Sequence, residues 1–289
     1  MQTLIKTALF IGITGFAGQA AVKTVSGFHH VESIAAEDRF LYAGDIGSKM
    51  DPSAKDGDGK IWKLDNNGKV IDSTFAKTVL NAPKGLAIHN HLLFLTDIDR
   101  IVALDLSSGE KKYEISFSGD AAFLNDIAVK DDSTLFVSAT DKNKIFRVNL
   151  HSKKYEALDF GYEPAGANGL AYDGAKDRLY VNGMGNDKQP KGVIGYVDLA
   201  AGKFTRIGTA EGLYDGMALD AKNNMLYVSD WVAFEKKGQI VSVDLRTNTI
   251  GEVKLATPLA GPADFTMSNG KLVVPEMMAG TIVFISNFK

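Results

Sequence analysis

Asp215 stands before a glycine in YDGMALDAKNNMLYVSD (214–230), at the head of two short apolar runs that read as a hairpin. A carboxylate carried toward a protein interior must be hydrogen-bonded, bound to a cation or kept at an exposed turn, because burying it unpaired is costly. The same place recurs in VESIAAEDRFLYAGDI (31–46), PKGLAIHNHLLFLTDI (83–98), LNDIAVKDDSTLFVSAT (124–140), ANGLAYDGAKDRLYVNGM (167–184) and PADFTMSNGKLVVPEM (262–277). Aligned on the apolar residues Ile34, Leu86, Ile127, Leu170, Met217 and Phe265, the residues two positions earlier are Glu32, Lys84, Asn125, Asn168, Asp215 and Ala263. Hard cations such as Ca2+ take about six to eight oxygens from carboxylates, amide carbonyls and water. Glu32, Asn125, Asn168 and Asp215 would supply four and leave room for water and a substrate. A divalent cation held there would polarise a bound carbonyl or acidify a bound water, with a nearby carboxylate accepting the proton.

Residues so far apart in sequence meet only if the elements carrying them repeat around an axis. Each segment has a polar or Gly start, a short strand, a turn and a second strand. A third strand follows: IWKLD (61–65), IVALDL (101–106), IFRVNL (145–150), IGYVDL (194–199), IVSVDL (240–245) and TIVFIS (281–286). A more variable fourth strand leads into the next unit. Asn-Gly, Asp-Gly, Ser-Gly and Asn-Asn turns separate the runs, and little of the pattern has a helical period. Four strands per unit at a period of roughly 40–50 residues is the arithmetic of an all-β, six-bladed β-propeller. A twisted β-sandwich is the alternative, but sandwiches do not repeat this regularly. The last unit stops soon after its third strand, and 22–28 can supply the missing outer strand and close the ring, covering two sheet edges.

The chain of 289 residues accommodates one such domain over 21–289. A formal net charge of -3 gives no electrostatic reason to expect nucleic acid or an anionic membrane as partner. With no cysteine there is no disulfide, thiolate metal site or thiol nucleophile. MQTLIKTALFIGITGFAGQAAV, with one early positive charge, an apolar run and then small residues, has the layout of a secretory signal peptide over 1–20. Its apolar run is shorter than the ~20 residues that span a bilayer. The expectation is a secreted, periplasmic protein without stable membrane insertion after leader removal.

The motifs VESIAAEDRFLYAGDI, FLNDIAV, GANGLAYD and YDGMALD resemble the senescence marker protein, gluconolactonase and luciferin-regenerating-enzyme-like family of six-bladed propellers, metal-dependent lactonases and related esterases. The resemblance implies a propeller with one divalent cation, Ca2+ by the family's habit. It implies Glu32, Asn168, Asp215 and Asn125 as metal ligands. Asp215 would also act as, or orient, the general base, and Asn125 would line the site beside metal and substrate. Each of the four residues also suits a turn-starting Asx residue or a polar group hydrogen-bonded at the channel mouth.

Two positions depart from the family. Where many of its sugar lactonases have an Arg, two residues before the blade-three Asn, this chain has Phe123, which favours a more apolar lactone or ester as the small-molecule substrate. Lys84, at the ring position of blade two, would either pair with Glu32 or Asp215 and compete with a metal, bind a substrate anion, or lie in solvent. Trp231 and Phe234 in DWVAFEKKG (230–238) would make an apolar wall over the channel or pack between blades. GMGNDKQPKG (183–192) and KDGDGK (55–60) could also overhang its mouth. His29 and His30 read as loop residues of the closing strand, and His89 and His91 as surface residues of a turn. Asp264 and Glu276 are further candidate axis carboxylates. The leading reading is an exported metal-dependent hydrolase, and the alternative a non-catalytic periplasmic ligand-binding or scaffold propeller.

Overall fold

The alternating patterns build six antiparallel four-stranded sheets, in a computed structural model that describes residues 19–187 and 189–288. Apart from Gln19 and Ala20, the leader segment expected over 1–20 lies outside the described residues. Each of the first five blades runs outward from its inner strand in chain order. Counting from β1 (Ala21–Ser26), the inner strands are β2 (Val31–Glu37), β6 (Pro83–His89), β10 (Leu124–Asp131), β14 (Ala167–Asp173) and β18 (Tyr214–Asp220). The sixth blade runs β22 (Thr266–Ser268), β23 (Lys271–Glu276), β24 (Thr281–Ser286) and then β1, antiparallel to β24 from Ala21↔Ser286 to Ser26↔Thr281. The N-terminal strand therefore closes the last blade, and the ring has no open seam. Among the described residues the only helical element is one 3-10 turn, Thr140–Lys142, and no helix is long and apolar enough to cross a membrane.

Six apolar clusters fill the six interfaces between neighbouring blades. Phe94 and Ile101 of blade two meet Leu135 and Phe146 of blade three, and Leu41 and Leu64 of blade one meet Ile282 and Phe284 of blade six. Each such side chain, removed from water, contributes about 1.5–3 kcal/mol, so the ring is held mainly by these contacts between blades.

Nearer the axis the blades are tied by polar side chains, at the position just before the anchor residue in blades one, three and six and on the second strand in blades two, four and five. Leu86 N–H donates to Ser33 Oγ (3.1 Å), Leu170 N–H to Asp126 Oδ2 (2.6 Å), and Ser33 Oγ to Asp264 Oδ2 (2.5 Å). Thr96 Oγ1 donates to the Asn125 carbonyl (2.5 Å), Asn182 Nδ2 to the Gly216 carbonyl (3.4 Å), and Ser229 Oγ to the Ala263 carbonyl (3.0 Å). All six interfaces carry one such tie. Where this position is Gly85, Gly169 or Gly216, the next blade's backbone would lie within 2.4 Å of an added Cβ, so only glycine lets the inner strands approach.

Candidate active site

The first ladder pair of five inner strands is followed by a register shift: Val31 to Ser33, Pro83 to Leu86, Leu124 to Ile127, Ala167 to Leu170 and Tyr214 to Met217. Such a bulge bends the strand and re-aims a side chain. The residue inside each bulge is the ring position read from the sequence. Glu32, Lys84, Asn125, Asn168 and Asp215 are all buried and line one cavity of about 370 Å³. Ala263, at the sixth position, is buried among the apolar residues of the same face.

Four oxygens in this cavity are buried without a hydrogen-bond partner: Glu32 Oε2, Asn125 Oδ1, Asn168 Oδ1 and Asp215 Oδ1. Buried polar groups ordinarily find partners, so four orphans on one cavity mark a place built for something else. Two of them are held in place from behind. Trp231 Nε1 donates to Asp215 Oδ2 (2.8 Å), and Asn125 Nδ2 donates to Thr140 Oγ1 (3.2 Å), which itself donates to the Ala167 carbonyl (2.7 Å). In each case the bound half of the group leaves the other oxygen to the cavity. Two carboxylates and two amides form an all-oxygen set suited to a hard cation. Among the described residues no three His, Asp or Glu side chains converge as a metal cluster, because half of this ring is amide.

Burial dominates the electrostatics. It raises Asp215 to about 8, with Asp264 adding to the shift and the Trp231 and Asn168 side chains opposing it. It holds Glu32 well above its ordinary value, reinforced by Asp215 and Asp264 and opposed by Lys84. Asp264 is raised to about 7 by burial, against hydrogen bonds from Ser33 and the Phe265 N–H. Asp126 also lies well above its ordinary value, first through burial and then through Asp264. All four shifts favour the protonated carboxyl, so a bound cation would compete with protons here.

Lys84 is 1% exposed, so the solvent-exposed alternative does not hold. Its Nζ donates to the Pro52 and Ala82 carbonyls (3.1 Å each) and lies 4.6 Å from the Phe123 ring centre. Among the described residues it forms no ion pair, and it leaves the four oxygens unpartnered. The two residues that depart from the family pattern thus pack against each other. Burial lowers Lys84 to about 8, opposed by the charges of Glu32 and Asp97.

A second set of equivalent positions completes the cavity wall. Thr140, Met184, Trp231 and Met277 each follow the last residue of their blade's second strand. Ile46 and Ile98 fill the same places in blades one and two, packed in the apolar cluster that contains Trp231 and Met277. Of this set, sequence reasoning named Trp231 and reached Met184 only as part of 183–192, the stretch expected to overhang the mouth, although the alignment that exposed the first ring also carries the second. Trp231 is buried and hydrogen-bonded to the ring, while Phe234, with its ring centre 5.4 Å from that of Trp231, is part exposed and lines the cavity. Met50 and Pro52, earlier in the loop that holds KDGDGK, overhang the cavity, and 55–60 do not line it.

Other candidates have structural duties. Glu276 accepts the Ala260 N–H and Thr281 Oγ1, so it latches a loop. Asp45, Asp97 and Asp230, at the same strand end, likewise accept backbone N–H groups of the loop leading into their own blade. His30 Nδ1 lies 2.9 Å from the Gly47 carbonyl, and His89 bonds Asp132 at the surface.

No family model and no curated protein matches the chain. Solved structures do. A streptogramin B lyase structure aligns at 17% identity and TM-score 0.63, over 92% of this chain and 97% of that one. A catalytically inactive virginiamycin B lyase from Staphylococcus aureus with quinupristin aligns at 15% identity and TM-score 0.62, over 93% and 99%. The nidogen/laminin complex contains a similar chain at 15% identity and TM-score 0.59, over 88% and 85%. At these identities the likeness shows the fold alone, a β-propeller that the two lyases and a chain of the nidogen/laminin complex share.

Proposed function

We propose that this propeller is a divalent-cation-dependent hydrolase of small lactones or esters with apolar substituents, Ca2+ being the cation that its donor set suits. The observation that carries the reading is the convergence of four buried, unpartnered oxygens, from Glu32, Asn125, Asn168 and Asp215, on one cavity. When bound, a cation supplies Lewis-acid polarisation of a carbonyl or a more acidic water. The chain's own residues do the remaining work. Trp231 fixes Asp215 with Oδ1 toward the cavity, where it takes the proton of an attacking water. Thr140 orients Asn125 beside it. Phe123, Met184, Met277 and Trp231 receive the apolar part of the substrate and keep bulk water from the reacting carbonyl. The motif resemblance to the lactonase propellers supports the same assignment. The reading also places the protein outside the cytoplasm, a proposal that the N-terminal residue of the mature protein would check: it should be Ala21 or Val22.

The test is a panel of aryl esters and lactones offered to the chelated protein, to protein reloaded with Ca2+, and to Asp215→Asn. Hydrolysis should require the cation and fall on the order of a hundredfold or more in the variant, as for loss of a general base. Hydrolysis unchanged in Asp215→Asn would remove that residue from the reaction. A bound cation with no hydrolysis of any panel member would favour the binding propeller instead.

A further inference from the structure

Lys84 lines the same cavity but stands apart from the four unpartnered oxygens. Its Nζ is buried at one wall of the cavity, held by two backbone carbonyls, Pro52 O in the overhanging loop and Ala82 O just ahead of its own strand, at 3.1 Å each. A neutral primary amine has two N–H bonds and one lone pair. In the neutral amine the two carbonyls take both N–H bonds, which leaves the fourth tetrahedral direction to the lone pair. Neither of these acceptors is charged, and no carboxylate pairs with Nζ among the described residues, although the charges of Glu32 and Asp97 act on it without contact. Nζ lies over the face of the Phe123 ring, 4.6 Å from its centre, and the ring closes one side of the amine. A lysine desolvated in such a setting is a nucleophile toward carbonyl carbon.

We propose that Lys84 forms a Schiff base with apolar aldehydes or ketones that enter the propeller cavity. The amine lone pair attacks the carbonyl carbon, forming the C–N bond while the carbonyl oxygen takes a proton. The nitrogen then loses its protons through solvent, the C–O bond breaks, and water leaves. The products are an imine and one water, with no oxidant or reductant consumed. The surrounding Met50, Phe123, Met184 and Trp231 select an apolar or aromatic carbonyl compound over a polyhydroxy one.

The experiment uses the full folded protein in chelator, so that its outcome is separate from that of the hydrolase reading. Benzaldehyde and sodium cyanoborohydride are added at neutral pH, and the stable secondary amine is located by peptide mapping. Lys84 should be labelled on the order of tenfold faster than any other lysine, the others serving as internal controls. The adduct should be competed by cinnamaldehyde and absent from Lys84→Met. Because the mapping is done on the unsubstituted protein, the result stands even if the variant fails to fold. Labelling of Lys84 no faster than that of the surface lysines would overturn the proposal. So would saturable binding of benzoate that protects Lys84 while benzaldehyde leaves it unlabelled, since the nitrogen would then be an ammonium pairing with anions.

Discussion

The carboxyl groups about the axis set a pH signature that ordinary surface carboxylates lack. Burial pushes Asp215 up to about 8 and Asp264 up to about 7, from 3.8, and Glu32 and Asp126 shift in the same direction. Between those limits the folded chain holds protons that the unfolded chain has released. The stability that these groups contribute is therefore fully present below the ordinary value and is lost as pH rises toward 8. Lys84 acts in a higher window: lowered from 10.5 to about 8, it makes the protein regain stability only above 8. The chelated protein should show a melting temperature that falls from pH 5 to pH 8, and saturating Ca2+ should flatten the slope by holding the carboxylates ionised. A flat or rising profile without cation would contradict this account of the site. Trp231→Phe keeps an aromatic ring but leaves Asp215 Oδ2 buried without its donor, a loss of about 1–3 kcal/mol in thermal or urea unfolding. A loss below half that range would mean that the indole N–H does not anchor Asp215.

At the level of the strand, the site depends on two devices, the bulge that re-aims each ring residue and the close approach of neighbouring inner strands. A Cβ at Gly216 would lie 2.3 Å from the Asp264 Cα, whereas one at Gly174, in a turn, meets nothing nearer than 3.6 Å. Gly216→Ala should cost about 1–3 kcal/mol, the range for overpacking, and Gly174→Ala should stay within about 0.5 kcal/mol. Equal effects in chemical denaturation would show that blade spacing is not set at that glycine. The ring positions Glu32, Asn125, Asn168 and Asp215 were legible in the sequence because the hairpins repeat with a constant offset to an apolar anchor. The orientation of Lys84 was not, since its partners are two backbone carbonyls, one in a loop outside the repeat. The role of Glu276 was equally hidden, because a carboxylate that binds loop amides has the same sequence appearance as one that faces the axis.

For the whole molecule, the blade count and the closure by the N-terminal strand follow from the period and from a last unit that lacks its outer strand. Removing 1–26 deletes β1 and exposes the edge of β24, so the truncated chain should melt at a lower temperature and associate, with amide exchange rising first in the sixth blade. Unaltered melting would mean that the ring does not need its closing strand. This closed ring gathers the four unpartnered oxygens, which we propose hold one divalent cation. The most direct measurement is a calorimetric titration of the chelated protein with CaCl2. One ion per chain should bind, with proton release into the buffer, and Glu32→Gln and Asp215→Asn should each weaken binding at least about tenfold, as when a charged ligand is lost. Absence of binding by Ca2+, Mg2+, Mn2+ or Zn2+, or binding unaffected by both substitutions, would contradict the account.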